Sequence, residues 1–158
     1  MKNLSLTLLL LIVFLTPSFS QNWVTYESKE FGIKAEFPGA VRDTVKPTGS
    51  NTNLQIVHNE VDLVLFSLTV YQEPVREGIE ADVIVGALQE GDRVVGTGKT
   101  WEHGGKSWLS AVIYSSNMGG YLHRRVLIDG NKLFNVTYIS DSESSEGNVD
   151  RFYNSIIF

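Results

Sequence analysis

Apolar and polar positions alternate with a period of two over most of the chain, the signature of strands that bury one face. Phe31, Ile33, Ala35 and Phe37 share a face with Lys34 and Glu36 between them, just before Pro38-Gly39. Trp23 to Tyr26 alternates in the same way, and Leu54 to Val57 is a further short strand. Pro47 to Asn53 is rich in turn formers and reads as a loop. Val61 to Tyr71 places Val64, Phe66, Leu68 and Val70 on one side and Leu63 and Leu65 on the other, as expected of a central strand covered on both faces. After Glu73-Pro74 the period lengthens. Ile79, Val83, Ala87 and Leu88 recur at helical spacing, Glu80 and Asp82 suit the positive end of a helix dipole, and Gly91 offers a stop.

From Arg93 onward the period of two returns in four runs: Arg93–Glu102, Ser107–Tyr114, Tyr121–Ile128 and Leu133–Ile139. Gly104-Gly105, Gly119-Gly120 and Asp129-Gly130 separate them, and such pairs mark hairpins because glycine reaches positive φ. Ser144-Ser145 offers a helix cap, and Val149, Phe152, Tyr153 and Ile156 form the i, i+3, i+4, i+7 stripe of a closing helix. The expected fold class is therefore α+β, an antiparallel β-sheet flanked by helices.

The first twenty residues follow another logic. Lys2 is a positive start, Leu8 to Leu15 is an unbroken apolar run, Thr16-Pro17 ends it, and Ser18 and Ser20 are small residues placed for cleavage before Gln21. Residues 1–20 read as a signal peptide and residues 21–158 as one domain, exported to a periplasm or secreted. The apolar run is shorter than the roughly 20 residues of a membrane span, so no stable anchor is expected after cleavage. Without cysteine the chain can form neither a disulfide nor a thioether lipid link. The charge of −5 argues against nucleic acid as a partner, and loss of Lys2 with the leader takes it to −6.

Several segments together carry a family resemblance. Phe31 to Gly39, the Asp129 to Phe134 hairpin and the closing Arg151 to Phe158, with the aromatic opening strand, resemble the PsbP-like superfamily. That resemblance implies an α-β-α sandwich around an antiparallel sheet and a non-enzymatic binding role. Known members include extrinsic photosystem II subunits, a nuclear-transport factor that binds a small GTPase, and exported bacterial proteins. The leader is not of the plastid type, so the last group is the one this chain is similar to.

Chemical motifs are few. Gly98-Lys99-Thr100 and Gly105-Lys106-Ser107 imitate the end of a phosphate loop, but Arg93 and Thr100 stand where its first glycine belongs. There is no Gly-x-Ser-x-Gly elbow. His58, His103 and His123 are too dispersed for a zinc clip, and Asp141 to Glu146 lacks the spacing of a calcium loop. No catalytic residue, metal ligand or cofactor is assigned. The one basic run is His123-Arg124-Arg125, and on a strand Tyr121, His123 and Arg125 make a row on one face with Arg124 on the other. This row is the candidate patch for an anionic ligand or an acidic partner segment, although the plainer expectation is an exposed sheet edge with cross-strand ion pairs. The sequence favours a non-catalytic domain that binds a protein, an envelope partner or a small ligand. A hydrolase-type enzyme with a dispersed site and a metal or ligand carrier are the alternatives.

Overall fold

The computed structural model describes residues 22–60 and 62–158. The leader and the Ser20/Gln21 cleavage point lie outside the described residues. Strands β1 (Val24–Ser28) and β2 (Ile33–Phe37) form a two-stranded antiparallel hairpin. The main sheet comprises β3 (Arg42–Thr48), β4 (Asn51–His58), β5 (Leu63–Val70), β6 (Arg93–His103), β7 (Lys106–Ser115), β8 (Gly120–Asp129) and β9 (Lys132–Ser140). Its seven strands run in the order β3-β4-β5-β9-β8-β7-β6, all neighbours antiparallel. Two helices complete the described chain: α1 (Glu80–Val85) and α2 (Asn148–Asn154).

The expected α+β sandwich is therefore corrected to a mostly-β fold. The helices have 6 and 7 residues, too few to form layers that flank a seven-stranded sheet. The larger core lies between one sheet face and a cover made jointly by the β1–β2 hairpin and α2. Phe66, Phe134, Tyr138 and Trp108 from the sheet meet Phe37 and Ala35 from the hairpin and Phe152 and Tyr153 from α2. A smaller core on the opposite face packs Ile113, Leu122 and Val126 beneath Ile84 of α1. The helical period from Ile79 to Leu88 promised more than forms. Gly86 caps α1, and its Val83-Ile84-Val85 run is β-branched, so the last turn of the pattern has weak intrinsic support.

At the other end, α2 stops at Asn154. Ile157 turns extended and exchanges backbone hydrogen bonds of 2.9 and 2.8 Å with Lys34. Its N-cap is Gly147, not the serines upstream, which are spent on turns of their own: Ser144 Oγ accepts from Glu146 N, and Ser142 Oγ from Ser144 N. The expected loop at Pro47 to Asn53 is mostly strand. β3 and β4 pair through Pro47↔Thr52 and turn at Gly49-Ser50. Proline is tolerated there because β3 is the sheet edge and needs no donor on its outer side. The β8–β9 turn is centred on Gly130-Asn131, one residue beyond the expected pair, and Gly130 alone takes a positive φ (60°).

β8 thus lies inside the sheet, between β7 and β9, with apolar cover on both faces. This decides the surroundings of the basic run.

Candidate functional site

The row Tyr121, His123, Arg125 does share one face, but it is not an exposed edge. His123 is 3% exposed and Arg125 is 6% exposed, because α2 and the loop before it cover this end of β8. The expectation of solvated cross-strand ion pairs is overturned for these two residues by burial. Tyr121 stands apart. Its ring packs edge-on to Tyr114 at 5.3 Å, and the Arg93 guanidinium lies over that Tyr114 ring at 4.9 Å.

Arg125 is held by two rings. Its guanidinium carbon lies 3.9 Å from the centroid of Trp101 (β6) and 3.9 Å from that of Tyr153 (α2). Both rings attract the cation through their electron-rich faces. They are themselves fixed: Trp101 packs on Trp108 and Tyr153, and the Tyr153 hydroxyl donates to the backbone carbonyls of His123 and Val136. The nearest carboxylate, Asp150, is 3.8 Å from Nη2, outside the 2.7–3.2 Å of an N–H···O hydrogen bond. Nη1 is buried with no partner at all. Burial lowers the Arg125 pKa, opposed by Tyr153 and Asp150. A buried cation with spare donors is costly unless something satisfies it.

His123 is oriented by its neighbours. Nε2 is 2.9 Å from the Ser142 carbonyl, and the Ser140 hydroxyl donates to that same carbonyl at 2.9 Å. Only Nε2–H can face a carbonyl favourably, so the proton sits on Nε2 and the lone pair on Nδ1, which has no partner. Ser140 Oγ, 3.1 Å from Nε2, is then an acceptor, and His123 is not placed to take its proton. That removes the Ser140–His123 pair from a nucleophile–base role. Burial lowers the His123 pKa, and Arg125 adds to the effect against the Ser142 carbonyl and Asp150.

Together, His123 and Arg125 line a cleft of about 350 Å³. Lys99 of β6 and Ser110 of β7 contribute to one side, and Glu143 to Glu146 of the loop before α2 to the other. Lys99 is placed by irregular pairing: β6 slips register against β7 between Val94 and Gly96 and again between Gly96 and Lys99. Such bulges twist a strand and re-aim its side chains.

Arg124 belongs elsewhere. On the opposite face its Nε donates to Thr137 Oγ1 at 3.1 Å. His58 is fully buried with Nδ1 2.7 Å from the Ala40 carbonyl, and His103 stacks on Trp101 with Nε2 2.6 Å from the Ile156 carbonyl. The three histidines are thus used in three separate places. Among the described residues no helix is long and apolar enough to cross a membrane. The residues that sequence reasoning missed are Trp101, Tyr153 and Lys99. A tryptophan three residues before the Gly104-Gly105 hairpin was the available signal for the first; Lys99 stood only in a rejected phosphate-loop imitation and Tyr153 only in the apolar stripe of the closing helix. Scanned against protein-family models and curated proteins, the sequence matches none.

Proposed function

We propose that the protein is an exported, non-catalytic binding module whose ligand site is the cleft between β6, β7 and β8 and the Glu143–Glu146 loop. One observation carries the reading: a buried arginine, its guanidinium packed against the Trp101 and Tyr153 rings, lines that cleft with its Nη1 donors unused. Two rings, one of them anchored to the backbone of two strands, keep the group in place before any ligand arrives. Pre-organisation of this sort lowers the entropic cost of binding. The volume lies in the range of small-ligand sites, about 300–1,000 Å³. Export rests on Lys2, the Leu8–Leu15 run and the Ser18/Ser20 pair.

The test is a screen of the ¹⁵N-labelled protein against small fragments of mixed charge, read by amide shifts. Hits should move Gly96, Ser110, His123 and Ser144 together. A screen in which no fragment moves that group, or in which all hits gather elsewhere, rejects the reading.

A further inference from the structure

We infer that the cleft takes a small molecule through a single carboxylate, received by Arg125 with Lys99 at the rim. This rests on the cleft being a ligand site and adds the chemistry of the ligand.

Unused donors determine which part of Arg125 is available. The Trp101 and Tyr153 ring centroids each lie 3.9 Å from the guanidinium carbon and 5.8 Å from one another, so the rings pack on it from adjacent directions and restrict its rotation. Nη1 is unpartnered and Nη2 has Asp150 at 3.8 Å, so the Nη1–Nη2 end retains hydrogen-bonding capacity. Two parallel N–H bonds in one plane match the two coplanar oxygens of a carboxylate. A lysine at the same place could not impose that geometry.

Buried Arg125 is the least screened charge lining the cleft. Lys99 and Arg125 are balanced across the cleft by Glu143 and Glu146. Both glutamates and Lys99 are exposed, so their fields are screened, but Arg125 is not. Doubling an anion's charge doubles its attraction to Arg125 and Lys99 and its repulsion from the loop alike, so it is geometry that favours a planar carboxylate over a tetrahedral phosphate. Asp150 acts on the guanidinium as a partial counter-charge and does not occupy its donors.

Nη1 is closed off from water in this conformation, so an entering carboxylate has to part its surroundings. The exposed loop of residues 143–146 is the side able to give. Its backbone is tied through the short-range bonds of Ser144 and Glu146, and through the bond from His123 to Ser142 at its root.

The experiment titrates the full protein with benzoate, its neutral isostere benzamide, and phenyl phosphate. It follows tryptophan fluorescence, sensitive through Trp101, and the cleft amides. Benzoate should bind at least tenfold more tightly than benzamide and more tightly than phenyl phosphate, and Arg125→Gln should abolish the difference between benzoate and benzamide. Because Arg125→Gln can also harm the fold, Lys99→Glu at the exposed rim is the second variant. It should weaken benzoate severalfold and leave benzamide unchanged. Equal binding of benzoate and benzamide, or preference for phenyl phosphate, overturns the carboxylate while the cleft remains a ligand site. Benzoate failing to move cleft amides that neutral or cationic fragments do move has the same meaning. If no compound of any charge moves them, both this inference and the ligand site fall.

Discussion

Replacing Phe152 by alanine tests whether α2 belongs to the core or is a detachable segment. Phe152 has no exposed surface. Its ring lies 5.3 Å from Phe37 of the hairpin, 5.6 Å from Tyr138 of the sheet and 5.1 Å from Tyr153 of its own helix. Buried Phe→Ala changes cost about 3–5 kcal/mol, and each aromatic pair lost adds about 0.5–1.5 kcal/mol to area burial. Two of the partners sit on strands held by ladders of backbone hydrogen bonds, so the cavity cannot easily collapse. At least the middle of the range, about 4 kcal/mol, is therefore expected. With a urea m-value of about 2 kcal/mol/M, the midpoint should fall by about 2 M. Urea unfolding followed by circular dichroism, with light scattering to check that the protein stays monomeric, reads this directly. An unchanged midpoint would mean that α2 is not docked, and would remove Tyr153 from the wall around Arg125.

Three other outcomes follow from the same geometry. Burial holds the His123 pKa below its ordinary 6.5, so the folded state resists a proton that the unfolded chain accepts. Stability that is full above about pH 6.5 should therefore decline as the pH falls below it, and His123→Asn should flatten that part of a pH series of urea midpoints. A pH dependence unaltered by His123→Asn would contradict this assignment. Gly120→Ala should destabilise by more than about 1 kcal/mol in the same unfolding assay, because the new Cβ would lie 2.7 Å from the Ser140 carbonyl oxygen. Arg151→Ala removes an exposed ion pair to Glu36 at 3.0 Å and a contact over the Trp23 ring, and should shift stability by no more than about 1 kcal/mol.

Strands with an apolar face were legible in the sequence because burial imposes the period of two. Ile33 to Phe37, Val64 to Leu68 and Phe134 to Tyr138 all display it, and all are core. β3 was not legible. Every one of its residues is exposed, so Arg42 to Thr48 carries no apolar alternation, and only its ladder with β4 makes it a strand. Helix lengths were misread for the opposite reason. Ile156 belongs to the buried stripe, but it is buried from beyond the helix end, in the segment that leads Ile157 to pair with Lys34. Part of the site was visible as the His123/Arg125 face. Its burial was not, since that depends on β8 lying between β7 and β9 and on Tyr153 arriving from a helix far along the chain. Trp101 and Tyr153 looked like ordinary core aromatics, and their use as a clamp exists only in three dimensions.

The most direct test of the account is the side-chain NMR signal of Arg125, assigned by its loss in Arg125→Gln. In the free protein its guanidinium protons should be shifted upfield by the Trp101 and Tyr153 rings. On titration with benzoate they should move downfield and saturate, as new hydrogen bonds form at the Nη1–Nη2 end, in step with the cleft amides. Signals at ordinary solvent-exposed positions, or unmoved at saturating benzoate, would contradict the claim that a clamped arginine receives the ligand.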